Sequence, residues 1–134
     1  MINLNKIAHK ITSNILNVSS TVVPEMTYNK DGDKEWRVNG FLHREDGPAL
    51  ERKNGDKEWY INNKLHREDG PAIEYANGAK SWYINGKRHR EDGPAIEYAN
   101  GNKLWYLNGN YVKYDPKTWN QIIRDSQIEN IMKI

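Results

Sequence analysis

Four tryptophans, Trp36, Trp59, Trp82 and Trp105, stand 23 residues apart, and the residues between them recur in step. Residues 55–77 read GDKEWYINNKLHREDGPAIEYAN, residues 78–100 read GAKSWYINGKRHREDGPAIEYAN, and residues 32–54 read GDKEWRVNGFLHREDGPALERKN. A fourth copy opens at Gly101 as GNKLWYLNGNYVKYDP and then diverges, while PEMTYNKDG (Pro24 to Gly32) resembles the second half of a unit with one extra residue. So short a unit cannot bury an apolar face alone. The chain must therefore fold as an array in which each unit is stabilised by its neighbours and the two ends are capped.

Each unit carries two hairpin signals. Asn77-Gly78 and Asn85-Gly86 are flanked by strand-forming residues, and Asn-Gly is the strongest short-range sign of a two-residue type I′ turn. Read as two-residue loops, they pair Tyr75 with Lys80, Ile73 with Trp82, Tyr83 with Arg88, and Trp82 with His89. Side chains alternate along a strand. Trp82 then shares a face with Ile73, Tyr75, Ile84 and His89, while Tyr83, Glu74, Arg88 and Arg90 fall on the opposite face. Glu91-Asp92-Gly93-Pro94 supplies a wider bend between units, with glycine and proline as punctuation. The expected fold is mainly β: an elongated single-layer antiparallel meander of tandem hairpins, with a capping α-helix at each end.

The boundaries follow. Residues 1–20 form an N-terminal helical cap, from the spacing of Leu4, Ile7, Ala8, Ile11 and Ile15. Residues 21–115 form the array: a half-unit at 24–31, units at 32–54, 55–77 and 78–100, and a partial unit at 101–115. Residues 116–134 form a C-terminal helical cap, with Asp115-Pro116 as N-cap and first helical residue. On that helix Trp119, Ile122 and Ile123 share one side. Ile128, Ile131 and Met132 point elsewhere, so the tail either bends near Ser126 or offers a second apolar surface.

Composition narrows the function classes. Twenty basic and 18 acidic residues leave a formal charge of +2, too little for a general attraction to nucleic acid or anionic lipid. Five Trp and eight Tyr against one Phe suit half-exposed surfaces, since both carry a polar group on a large apolar body. There is no cysteine, and no stretch approaches the ~20 apolar residues of a membrane span. The start lacks the apolar run of a secretory signal. The expectation is a soluble cytoplasmic protein without cofactor or metal.

The string Asn85-Gly86-Lys87-Arg88-His89, followed by Gly93, Asn100-Gly101 and an aromatic pair at 23-residue spacing, resembles the MORN-type repeat (membrane occupation and recognition nexus). The resemblance covers Pro24 to Asp115. It departs where Arg-Glu-Asp-Gly-Pro-Ala replaces the family's glycine pair, which is similar to the divergent variant of bacteria, phages and large DNA viruses. It implies a β-sheet strip that serves as scaffold or binding surface without catalytic residues. It also implies, as its sharpest form, a phage- or virus-encoded accessory protein that binds and inhibits a host factor in the host cytoplasm.

His43, His66 and His89 invite a metal reading. They recur once per unit, about two strand spacings or ~10 Å apart, whereas zinc needs nitrogens at ~2.0–2.1 Å. The expected role is structural, each ring packed against Trp36, Trp59 or Trp82 and donating a hydrogen bond into the glycine bend. The Arg44-Glu45-Asp46 run and its copies at 67–69 and 90–92 could be read as acid–base sets. General acid–base work needs one pocket with separated pKa values, and a triplicated group on an open strip reads instead as a structural corner. There the aspartate caps the turn and the arginine pairs with a neighbouring unit's carboxylate.

The candidate binding face is the one assigned to Tyr60, Tyr83 and Tyr106, with Arg67, Arg88, Arg90, Glu74 and Glu97. Tyrosine and arginine dominate protein-binding hot spots. Two arrangements stay open: the face is bare, or the terminal helices cover it and it is core. The first functional expectation is a non-catalytic protein–protein interaction module. Alternatives are nucleotide or nucleic-acid binding on the same face, and self-assembly into a homo-oligomer through Ile128, Ile131 and Met132.

Overall fold

The tight reversals set the architecture. Asn85 and Gly86 take φ values of 50° and 81°, as a type I′ loop requires. Strand β10 (Tyr83–Ile84) accordingly pairs with β11 (Lys87–Arg88), Tyr83 opposite Arg88 and Ile84 opposite Lys87. The same loop joins β2 (Lys34–Val38) to β3 (Phe41–Leu42), β6 (Tyr60–Ile61) to β7 (Lys64–Leu65), and β13 (Lys103–Leu107) to β14 (Asn110–Val112). In the second unit the loop is Asn62-Asn63, both at positive φ. Asn63 compensates for the missing glycine by accepting the Leu42 N–H of the preceding unit on its side chain, at 2.7 Å.

The other reversal differs from its expected form. At Asn77-Gly78 only the glycine has positive φ, 92°. The Gly78 N–H donates to the Tyr75 carbonyl and the Tyr75 N–H to the Ala79 carbonyl, each at 2.9 Å. The loop is therefore three residues long, a type I turn closed by a left-handed glycine. The Asn77 side chain accepts the Ala79 N–H at 2.9 Å and fastens it as an Asx turn. Between β8 (Ile73–Glu74) and β9 (Lys80–Ser81), Ile73 faces Ser81 rather than Trp82, and Glu74 faces Lys80. The extra loop residue moves the register by one, and one step exchanges the faces.

The computed structural model describes residues 22–133, so the expected helix over residues 1–20 lies outside them. With β1 (Glu25–Tyr28), β4 (Leu50–Glu51), β5 (Lys57–Glu58) and β12 (Ile96–Glu97), the main antiparallel sheet runs β1-β2-β4-β5-β8-β9-β12-β13-β14, with β3 on β2. The ribbons β6-β7 and β10-β11 stand apart from it. Single backbone bonds tie ribbon to ribbon: Arg67 N–H to Tyr83 C=O at 3.1 Å, and Gly86 N–H to Leu65 C=O at 2.8 Å. Trp59 and Trp82 lie at the junctions between main sheet and ribbon. There the Trp82 N–H meets the Ala95 carbonyl at 2.8 Å, and its carbonyl accepts the His89 N–H at 3.1 Å. The expected open meander of tandem hairpins is thus present.

Among the described residues, six of the buried side chains belong to the Ala-Leu or Ala-Ile pair that follows a proline. Ala49, Ala72 and Ala95 have no exposed surface, and Leu50, Ile73 and Ile96 are 5–7% exposed. Burying one such branched side chain contributes roughly 1.5–3 kcal/mol. Cross-strand pairing carries this row through Glu35, Leu50, Glu58, Ile73, Ser81 and Ile96. On the opposite face, Lys34, Glu51, Lys57, Glu74, Lys80, Glu97 and Lys103 alternate in sign strand by strand. Directly opposed unlike charges stabilise a sheet by about 0.2–1 kcal/mol per pair.

The array ends as the sequence suggests, one turn late. Asp115 Oδ1 accepts the Lys117 N–H at 2.9 Å, and its carbonyl accepts the N–H of Thr118 and Trp119. Helix α1 (Trp119–Met132) follows with Thr118 as N-cap and continues through Ser126. Tyr114 stacks on Trp105 with ring centroids 4.3 Å apart, and buried Trp119 meets Tyr114 edge-on at 5.8 Å. No helix among the described residues is long and apolar enough to cross a membrane.

Candidate binding face

Alternation along residues 57–61 sorts the expected face into two. Lys57, Trp59 and Ile61 point one way, Glu58 and Tyr60 the other. Tyr60, Tyr83, Tyr106 and Arg88 lie on the side of Glu58 and Ile73. Arg67, Arg90, Glu74 and Glu97 lie on the tryptophan side, and this corrects the expectation that all eight share one surface. Ile73 and Tyr75 move the other way, to the tyrosine side. The cause is the three-residue loop, together with the curl of each arginine over its own bend.

On the tryptophan side a stack recurs. Arg44, Arg67 and Arg90 place their guanidinium carbons 4.1, 4.0 and 3.9 Å from the ring centroids of Trp36, Trp59 and Trp82. Arg67 Nε donates to Asp69 at 3.1 Å, and its Nη1 donates to the Pro71 carbonyl and to Glu74, both at 3.1 Å. These carboxylates belong to the arginine's own unit, not the neighbouring one as expected. Glycine at the bend leaves room for this stack: a Cβ on Gly47, Gly70 or Gly93 would fall 2.8–2.9 Å from that guanidinium carbon and push the arginine aside. A groove runs between adjacent bends on this side, lined by Pro48, Trp59, Ile61 and His66 among others.

The histidines link units, with a reversed hydrogen-bond sense. Nδ1 of His43, His66 and His89 accepts the N–H of Asn62, Asn85 and Asn108 in the next unit, at 3.2, 3.0 and 3.0 Å. Each holds the following type I′ turn instead of donating into its own bend. Among the described residues, no group of three His, Cys, Asp or Glu side chains is placed to hold a metal ion.

The tyrosine side is a different surface. Buried Glu58 accepts Arg52 Nε at 2.6 Å and the Tyr60 hydroxyl at 2.7 Å. Burial, then that hydrogen bond, pushes the Tyr60 phenol well above its ordinary range. Burial likewise raises Tyr75, with Tyr83 among the groups acting on it. The Arg88 guanidinium sits between Tyr83 and Tyr106, 5.7 and 5.5 Å from their ring centroids. Tyr106 meets Tyr111 edge-on at 5.8 Å. Tyr75, Tyr98 and Tyr111 are 38%, 45% and 57% exposed. Sequence reading missed Tyr75, Tyr98, Arg52 and Glu58 as members of this face. Arg52, Tyr75 and Tyr98 follow the 23-residue period, which was the available signal.

Helix α1 docks elsewhere. Its polar contacts are Trp119 Nε1–H to the Glu91 carbonyl at 2.8 Å, Asn108 Nδ2–H to the Ser126 hydroxyl oxygen at 2.7 Å, and Gln127 Nε2–H to the Glu91 carboxylate at 2.8 Å. With the Tyr114–Trp105 stack, these place it at the tryptophan-side end of the array. Ile128, Ile131 and Met132 remain 54%, 69% and 81% exposed. Comparison with protein-family models, curated proteins and solved structures finds no match for this chain.

Proposed function

We propose that this chain is a non-catalytic protein-binding module of MORN-like repeats, and that it engages its partner through the tyrosine face. One observation carries the reading: Tyr75, Tyr98 and Tyr111 are exposed on the side where Arg88 stands between half-buried Tyr83 and Tyr106, while the C-terminal helix packs at the other side. Large amphipathic rings with few rotatable bonds, next to a guanidinium, are what hot spots are made of. The test is capture of partners from lysate by the purified protein, followed by the same capture with Tyr83→Ala/Arg88→Ala. The double variant loses the captured species while circular dichroism stays unchanged. Retained capture places the binding surface elsewhere and removes the proposal.

A second reading rests on the exposed apolar end of α1. Ile128, Ile131 and Met132 suit a contact between two copies, since large apolar groups left in water at a helix end mark association surfaces. Light scattering checks it: a mass above the monomer that drops on deleting residues 125–134 supports assembly. A monomer mass in both forms ends it.

A further inference from the structure

We infer that the tyrosine face is built for an extended, proline-rich peptide in the polyproline II conformation, one residue in three seated on successive repeats. The inference rests on the reading of that face as protein-binding, and it names the ligand's backbone.

Spacing is the first argument. Tyr60, Tyr83 and Tyr106 occupy equivalent positions of consecutive units, each separated by one intervening ribbon strand, β7 or β11. Two strand spacings make about 9.4–9.8 Å. The Arg88 distances of 5.7 and 5.5 Å to the rings of Tyr83 and Tyr106 agree, bounding their separation at about 11 Å. A polyproline II helix advances ~3.1 Å per residue with three residues per turn, so it repeats every ~9.3 Å. Every third side chain points the same way and meets the next tyrosine in phase. A β-strand places residues on one side every second position, about 6.6–6.8 Å apart. An α-helix returns to the same face after seven residues, about 10.5 Å, with angular drift. Both lose step with the array.

Chemistry is the second argument. Polyproline II makes no internal hydrogen bonds, so its carbonyls need donors from the receptor. A sheet face offers none from its backbone, and side chains must supply them. Arg37, Arg44, Arg52, Arg67 and Arg90 are each held by a carboxylate. Arg88 forms no such pair among the described residues, and it stands exposed between two rings. It can donate to a carbonyl while proline rings lie on the flanking tyrosines, the arrangement by which aromatic grooves hold proline-rich segments.

The experiment is fluorescence anisotropy with two labelled peptides of about thirteen residues and equal composition, each with about four prolines, set three positions apart in one and four apart in the other. The every-third peptide binds saturably, at least tenfold tighter than its partner. Arg88→Ala and, separately, Tyr98→Ala each weaken it at least tenfold with unchanged circular dichroism. Absence of saturation up to millimolar peptide, or equal binding of the two peptides, overturns the inference. A heptad-patterned helical peptide or an oligonucleotide that binds instead, and is lost with the same variants, overturns it too while leaving the face itself as the binding surface. Lysate capture that survives Tyr83→Ala/Arg88→Ala sinks the underlying reading separately.

Discussion

Arg67 sits over Trp59 with its guanidinium carbon 4.0 Å from the ring centroid, and the same carbon would stand 2.9 Å from a Cβ on Gly70. Indole, guanidinium and bare glycine form a three-layer stack that returns in each of the three full units. A cation held over an indole contributes about 0.5–2 kcal/mol. The exposed pair with Asp69, whose side chain is 88% accessible, adds little. The stack and the bond to the Pro71 carbonyl hold the bend.

Removing the arginine tests this. Arg67→Ala lowers stability by about 1–2 kcal/mol, read from urea denaturation, and Arg67→Lys recovers less than half because an ammonium cannot stack and fork at once. Gly70→Ala is destabilising through the same contact. In the double variant Arg67→Ala/Gly70→Ala the losses are less than additive. Full additivity would show that the glycine is needed for another reason.

His66 couples its unit to the next through Asn85. The variant His66→Ala removes an acceptor at a solvent-accessible turn and costs about 0.5–1.5 kcal/mol. Hydrogen exchange locates the effect: the Asn85 amide loses protection while the Asn62 amide, held by His43, keeps it. Equal loss at both would mean that the histidines act only by packing.

Trp119 closes the array. Trp119→Ala deletes a buried ring and its bond to the Glu91 carbonyl, a loss of about 3–5 kcal/mol for buried Trp. Nearest-neighbour stabilisation makes the damage local. Exchange protection falls in β13 and β14 first and persists in β4 and β5. Uniform loss of protection would show one cooperative block instead.

Acid loosens the first unit. Asp33 is held below its ordinary value of 3.8, chiefly by the Lys53 N–H that it accepts and then by Asn29. Glu35 is held below 4.5, chiefly by Arg37. Both carboxyls titrate lower when folded, so their contribution is present above those ordinary values and is lost as pH falls through the folded ones. The melting temperature stays level from pH 7 to about 5 and declines below about pH 4. Asp33→Asn/Glu35→Gln makes that decline shallower; an unchanged slope would assign it to other groups.

The tandem hairpins and the type I′ loop at Asn85-Gly86 were legible in the sequence, because a repeat spacing and the positive φ of Asn-Gly are local properties. Helix α1 was legible from Asp115-Pro116 and from the apolar side that contains Trp119. Asn77-Gly78 carries the same dipeptide, and the sequence does not say that it closes a three-residue loop. That choice depends on which register buries Leu50, Ile73 and Ile96 in one row, which neighbouring strands decide. From it follow the transfer of Tyr75 to the tyrosine side and of Glu74 to the other. Arg67 and Arg90 left the expected face because the glycine bend lets a long flexible side chain fold back onto an indole, a contact that alternation cannot foresee. The sequence determined that this protein is a row of hairpins. Only tertiary packing decided which residues share a face, since a one-residue step in pairing moves every side chain across the sheet.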